Sequence, residues 1–460
     1  MSFKYLNRII FSQDLAIKEV LKRFNETAIH TEHSGFGIII NGNNKCIGVV
    51  SEGDIRRKII DDTSISKPIK VAMNKNFKFI VNGDSSHKIL RQFDKKVNVL
   101  PVLDKDGSVV DLCKYSDFVV SARSNMKIIR AKVPVRVSFC GGGTDMSDYI
   151  NDNSALILSS TINKYCTASI LVREDNEIHI ASKDLNLKYS AKNIDEIEFG
   201  DSLDLIKAAI KIMQPKFGFE LETYAEFEPG TGLGGSSSLV VSVIGALNYF
   251  RNENQLDLYE IADIAYQVER IDMNFFGGWQ DQYATTFGGF NMIEFRKNEV
   301  IVNPIELKRQ TLLELEYNLM FFRIGGNRNS SDIQKSYMDD LPNKKKYFKK
   351  MTILTAQMKE SLLKGEVKTF GDLLHQSWLM KKELNERGVT NTLINDCYKI
   401  AKDLGALGGK ILGAGGSGYL LIYCSPLFQK KIIEKFNTLG VFQEPIKFCN
   451  NGLEVWSTKR

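Results

Sequence analysis

Residues 228–238 read EPGTGLGGSSS and run straight into LVVSVIGALNYF, so a glycine-rich loop opens directly onto the first turn of a buried helix. The glycines let the backbone adopt conformations closed to other residues and bring several N–H groups against an anion. The helix start adds unpaired N–H donors and the positive end of the macrodipole. The loop has no Lys where GxxxxGK[ST] requires one, and it lacks the spacing of a dinucleotide-binding fingerprint. By itself it reads either as a turn with an N-cap or as a phosphate cradle. In the second reading the contacts come from Gly230, Gly232, Leu233, Gly234, Gly235, Ser236 and Ser237.

A chain of 460 residues has room for about two to three domain-sized units, each with its own core. The net charge of +6 is mild over this length and scattered, which does not argue for a nucleic-acid partner. The seven cysteines form no CxxC pair and the five histidines no ligand spacing, as expected of a cytosolic protein with reduced thiols. No stretch approaches the roughly 18 to 20 apolar residues of a membrane span, and the N-terminus does not read as a leader. A cytoplasmic protein without a membrane partner is expected.

Up to about residue 123 one small plan occurs twice. A helical segment (DLAIKEVLKRFNE) leads to a strand (GFGIII), a turn (NGNN), a second strand and an Asp-led helix (CIGVVSEGDIRRKII). The second copy is DSSHKILRQFDKK, NVLPVLD, KDG and SVVDLCKYSDFVV. Neither copy is large enough to bury both its faces, so the two are expected to pair. Residues 5–120 resemble a tandem CBS domain pair. In such modules a Ser or Thr three residues before an Asp often holds the ribose of an adenine nucleotide. Ser51 and Asp54 match that pattern in the first copy, whereas the second keeps Asp117 but has Lys114 in place of the hydroxyl. The alternative is that Asp54 and Asp117 serve only as helix N-caps.

Three further segments carry chemistry-bearing residues. In RAKVPVRVSFCGGGTDMSDYI (130–150), Arg136 lies in a strand that leads into Gly142, Gly143, Thr144 and Asp145. In LYEIADIAYQVERIDMNFFGGWQDQYATTFGGF (258–290), Glu269 ends an amphipathic helix and the loop after it presents Asp281. In GGKILGAGGSGYLLIYC (408–424), Lys410 precedes a loop containing Gly413, Gly415, Gly416 and Gly418 ahead of a buried strand.

Together with the glycine loop, and in this order, these segments resemble the signature of the GHMP kinase superfamily over the whole of 130–460. GGGTD, GGWQDQYATTFGGF, the spacing of Gly325 to Arg328, and MKKELNERGVTN look like its D-glycero-D-manno-heptose 7-phosphate kinase branch. The resemblance implies an α/β (α+β) two-lobed kinase fold preceded by a tandem CBS module. The expected boundaries are CBS pair 1–123, linker 124–129, N-terminal lobe 130–310 and C-terminal lobe 311–460. It also implies ATP and Mg²⁺, and a small-molecule sugar phosphate as acceptor.

Phosphoryl transfer demands neutralised β and γ phosphates, a bound metal and an oriented hydroxyl. The resemblance gives the metal to Ser236, with Ser237 as the alternative, and to Glu269. It gives the acceptor hydroxyl to Asp281, as general base or as orienting group, with Arg136 beside it on the transferring phosphoryl. Arg136 and Asp281 read equally as a structural ion pair. Thr144 and Asp145, beside Gly142 and Gly143, are assigned to sugar hydroxyls, and Arg328 with Lys410 to the remote phosphate. The glycines 413–418 permit a close backbone approach to the ATP loop.

Two rival readings stay open: a kinase of an unphosphorylated sugar of the fucose or galactose type, and a CBS nucleotide-sensing or assembly protein on an inactive kinase scaffold. The joint presence of Arg136, Ser236, Glu269 and Asp281 weighs against the latter. An adenine nucleotide at the CBS module and a homodimer or larger homo-oligomer complete the expectations.

Overall fold

The computed structural model describes all residues except 1–5, 29–34, 85–87, 90, 94–96, 116–126, 252–253, 326–340, 385 and 460. Asp117, Arg328 and most of both helices expected in the second CBS copy therefore lie outside the described residues. The chain divides into two compact units, Met1–Asn125 and Met126–Arg460.

The first unit contains two three-stranded sheets of the same plan. In one, Ile10–Ser12 pairs parallel with Phe36–Ile40, which pairs antiparallel with Cys46–Ser51. In the other, Ile80–Val81, Val99–Leu103 and Val109–Lys114 repeat those directions. Each carries a register shift at the same place, next to the turn joining the antiparallel strands. The helix Ile17–Ala28 sends Ile17, Val20 and Phe24 into a core with Phe11, Ile39, Val50 and Ile55.

In the second unit the strand Ala155–Val172 is the spine of a nine-stranded sheet. It pairs antiparallel with Lys127–Cys140, Phe219–Ala225 and Asn291–Arg296. Along Lys127–Cys140 the odd-numbered residues Ile129, Ala131, Val133, Val135, Val137 and Phe139 are all at most 1 % exposed. Period-two alternation puts Arg136 and Ser138 together on the opposite face. The helix Gly235–Asn248 buries eleven of its fourteen residues and packs on both strands. Such all-round burial fits the apolar run from Leu239 to Leu247, interrupted only by Ser242.

A second sheet, ordered Gly408–Ile411, Gly418–Tyr423, Leu319–Ile324 and Phe442–Gln443, is antiparallel throughout. The helices Leu341–Lys364 and Val367–Leu384 pack together, the latter against Gly408–Ile411. Val135, Val137 and Phe139 of the first sheet share one core with Tyr419 and Leu421 of the second, which fixes the two sheets against each other.

Two expected boundaries are corrected. The linker placed at 124–129 overlaps the first strand, because Lys127 already pairs with Lys459. The last segment does not stay in the C-terminal lobe: Phe448–Cys449 pairs with Ala155–Val172 and Glu454–Lys459 with Lys127–Cys140. The alternating EVWSTK run carries no signal of which sheet it joins, since pairing partners so distant in sequence leave no local trace.

Candidate active site

The loop before Gly235–Asn248 holds Gly230, Gly232 and Gly234 at φ 77°, 74° and 74°, a left-handed backbone that favours glycine. Space restricts the loop as well as conformation. A Cβ on Gly232 would lie 2.7 Å from Leu412 O, and one on Gly413 would lie 2.4 Å from Gly232 Cα. The two glycine loops thus touch backbone to backbone. Leu233 is buried in the core shared by the two sheets, with its backbone O accepting from Arg136 N at 2.9 Å. Gly415 and Gly416 pack against Val389 instead, and Gly418 against Thr231.

Ser236 and Ser237 open the helix, and both hydroxyls donate to Glu269, to Oε1 and Oε2 respectively, each at 2.5 Å. Gln282 Nε2 also donates to Oε2. Glu269 and Ser237 are fully buried, whereas Ser236 is exposed. The helix expected to end at Glu269 stops at Tyr266, and Glu269 sits in a π-helical turn, Gln267–Asp272. Such turns recur at functional sites because they re-aim a side chain.

Arg136 is 3 % exposed and joins two parts of the site. Its Nε and Nη2 reach Asp281 Oδ1 at 2.8 and 2.6 Å, and its Nη1 donates to Gly232 O at 2.6 Å. Gly234 packs on the same pair: a Cβ there would lie 3.3 Å from Arg136 Cγ and 3.5 Å from Asp281 Cβ. Asp281 is in the first turn of the helix Gln280–Phe287, and its Oδ2 is the oxygen that Arg136 leaves open.

Beyond Arg136 lies a cavity lined by Ser138, Gly142, Asp145, Gln280, Lys381 and Lys410, among others. Asp145, fully buried, does not present a bare carboxylate for two sugar hydroxyls. Its Oδ1 accepts from Gly143 N at 3.0 Å and Gln280 Nε2 at 3.4 Å, and its Oδ2 from Gln280 N at 3.0 Å. Burial pushes its carboxyl above the usual carboxylate range, with the Gln280 and Gly143 N–H bonds opposing. Gly278 is required here, since a Cβ on it would lie 2.0 Å from Asp145 Oδ2. Thr144 departs from the sequence reading: its hydroxyl donates to Gly141 O at 2.8 Å and it does not line the cavity.

Lys410 is 4 % exposed and donates to Phe139 O at 3.1 Å; burial lowers its pKa to about 8, with Cys140 raising and Arg136 lowering it. Lys381, which the sequence did not single out, is 7 % exposed and donates to Gly413 O at 2.5 Å. Burial, and then Lys410 and Arg136, hold its pKa well below the usual lysine range. The signal for it was an i, i+4 pair, Ser377 and Lys381, on one face of the helix Val367–Leu384, both lining the cavity. The signal for Ser138 was its place two residues beyond Arg136 on the same strand face.

In the first unit, Ser51 and Asp54 form a capping box. Ser51 Oγ accepts from Asp54 N at 3.1 Å, and Asp54 Oδ2 accepts from Ser51 N at 2.8 Å. Ser51 is thus the N-cap, and Asp54, expected as an N-cap in one of the two sequence readings, is the N3 partner of a capping box.

Residues 204–289 match the family of GHMP kinases N terminal domains, residues 358–438 that of GHMP kinases C terminal, and residues 7–61 the CBS domain. A D-glycero-alpha-D-manno-heptose 7-phosphate kinase of Campylobacter jejuni is 34 % identical over 339 residues, 72 % of this chain and 99 % of that protein. The crystal structure of a D-glycero-D-manno-heptose 1-phosphate kinase from Bacteroides thetaiotaomicron matches with a TM-score of 0.60 and 30 % identity, covering 71 % of this chain and 98 % of that one. A putative sugar kinase from Campylobacter jejuni matches with a TM-score of 0.59 and 32 % identity, over 72 % of this chain and 98 % of that one. A glycine loop at a helix start, a Ser–Glu pair, an Arg–Asp pair and a relationship over the whole second unit lead to one conclusion: the chain belongs to the GHMP kinase family, is an ATP-dependent kinase, and carries a CBS domain ahead of its catalytic unit.

Proposed function

We propose that the chain phosphorylates the anomeric hydroxyl of a sugar phosphate of the D-glycero-D-manno-heptose 7-phosphate type, giving the 1,7-bisphosphate. The observation that carries this reading is the guanidinium of Arg136, which binds Asp281 on one side and the Gly232 carbonyl of the glycine loop on the other. One group thereby ties the acceptor end of the reaction to the phosphate end. The two relatives named for a heptose phosphate support the substrate class.

In this reading the backbone N–H groups at the start of Gly235–Asn248 cradle the phosphates, favoured by the helix dipole. Ser236 and Glu269 are an oxygen donor pair suited to a hard cation that keeps phosphate and water oxygens as its other ligands. Ser236 is an exposed residue and Ser237 a buried one, which favours Ser236 as the ligand. Mg²⁺ held there supplies charge neutralisation on the β and γ phosphates. Asp281 accepts the anomeric proton on Oδ2 or orients that hydroxyl, while Arg136 keeps the carboxylate aimed through Oδ1. An anomeric hydroxyl is more acidic than an ordinary alcohol, so a weak base is enough.

Phosphorus and carbon NMR of the product tests the regiochemistry. A phosphate on the anomeric carbon is expected, and a phosphate on any other carbon overturns the assignment. Regulation by an adenine nucleotide at Ser51 and Asp54 belongs to the same proposal, with coupling of about 1–3 kcal/mol. Supporting it is the CBS match over residues 7–61. If AMP, ADP and ATP analogues change neither activity nor the melting of the full chain, the module is structural.

A further inference from the structure

The cavity beside Arg136 holds polar groups that the protein leaves unused. Ser138 is 4 % exposed, and its hydroxyl has no hydrogen-bond partner among the described residues; neither has Gln280 Oε1. Both face one space. A Cβ built on Gly142 would lie 3.5 Å from Ser138 Oγ, and 3.5 and 3.9 Å from the Gln280 amide nitrogen and oxygen. Buried polar atoms are almost always satisfied, so two that converge on a void call for an explanation.

The two lysines on the same cavity call for one as well. Lys381 donates to the carbonyls of Gly413 and Ile411, and Lys410 to that of Phe139. Among the described residues neither pairs with a carboxylate. Each ammonium has three donors and keeps at least one over. A buried charge is retained where something of opposite sign comes to meet it. No residue of 230–237 lines the cavity; Gly141, Gly142, Gly143 and Asp145 form one wall, and Gly413 and Ala414 of the second glycine loop form part of another.

We propose that Lys381 and Lys410 bind the phosphate group of the acceptor, with Ser138 and Gln280 taking an adjacent hydroxyl. Lys381 is then the residue that makes the enzyme prefer a phosphorylated sugar. This rests on the sugar-phosphate reading above and assigns that phosphate to residues inside the described structure.

The test compares kcat/KM of the full chain for D-glycero-D-manno-heptose 7-phosphate and for the same heptose without its phosphate, in wild type, Lys381→Met and Gly142→Ala. Loss of one charged hydrogen-bonding partner is expected to cut the preference for the phosphorylated sugar at least about tenfold in Lys381→Met, through KM. Gly142→Ala places a methyl at ordinary contact distance from Ser138 and Gln280, so it raises KM for the acceptor while the melting temperature holds. A preference that survives in Lys381→Met overturns the subsite and leaves the sugar-phosphate reading standing. A wild type with no preference removes both and leaves only the kinase. An unchanged KM in Gly142→Ala, with the protein folded, overturns the role of Ser138 and Gln280.

Discussion

On the glycine-loop side of Arg136, Glu269 is fully buried and accepts bonds from Ser236, Ser237 and Gln282. On the other side, Ser138 and Gln280 Oε1 are as enclosed and have no partner among the described residues, and Lys381 and Lys410 rest on carbonyls. In the first region the Glu269 carboxylate is fully hydrogen-bonded before any ligand arrives, although Gln282 Oε1 beside it has no partner among the described residues. The second region is finished only by a ligand. Residues of the first should therefore carry stability as well as function, while residues of the second should carry binding at some expense to stability.

The largest expected effect falls on the pair between the two regions. Asp281→Asn keeps the shape but weakens the ionic partner of Arg136 and removes the base, so kcat should fall by about 10²- to 10⁴-fold in a steady-state assay. A fall of less than tenfold would reduce Asp281 to an orienting group.

Glu269→Ala and Lys381→Met sharpen the comparison directly. The first strands two buried donors, Ser237 Oγ and Gln282 Nε2, and should lower the free energy of unfolding by about 1–3 kcal/mol, measured by urea denaturation. The second replaces a buried cation with an apolar chain of similar length, a change that is often neutral or stabilising. If Lys381→Met destabilises as much as Glu269→Ala, the contrast between the regions is wrong.

Acidity separates the regions too. Lys410 titrates at about 8 in the fold, against about 10.4 for a free lysine side chain. Between those values the unfolded chain binds more protons than the folded one, so this group makes stability rise with pH across that window. The cost of burying its charge is fully present below about pH 8. Binding of an anion runs the other way. Arg136 keeps its positive charge and Asp145 faces the same cavity, while Lys381, whose pKa burial also lowers, titrates with Lys410; as Lys410 loses its proton above about pH 8, KM for the acceptor should climb by up to about tenfold per unit. Lys410→Met should remove the part of the rise that Lys410 contributes and leave that of Lys381.

The smallest effect is expected in the first unit. Ser51→Ala removes the N-cap of Glu52–Ile60 and should cost about 1 kcal/mol in that unit, read by thermal melting with and without adenine nucleotides.

What was legible in the sequence follows the same division. The first region is written in contiguous motifs: the glycine loop and its helix start are neighbours in the chain, and Glu269 and Asp281 stand in one segment. The cavity beside Arg136 draws on Ser138 from one strand, Gln280 from a helix start, Lys381 from a helix and Lys410 from a strand of the other sheet. Its members are far apart in sequence and each is ordinary in its own context. Lys410 was read only through the family resemblance, with Arg328, as a partner for a remote phosphate. Lys381 was not, because a lysine near the end of a helix usually reaches solvent. Two of the three bonds that the protein gives Asp145 were hidden for a similar reason, since Gln280, which donates both, is more than 130 residues away in sequence.

The most direct test of the account is ADP release by the purified protein with Mg²⁺ and ATP, comparing D-glycero-D-manno-heptose 7-phosphate with heptose, galactose, fucose and mannose 6-phosphate. The predicted result is a clear preference for the heptose phosphate, lost in Asp281→Asn. Turnover confined to an unphosphorylated sugar would contradict the acceptor side of the account, and no turnover with any of them would contradict the proposed anomeric phosphorylation itself.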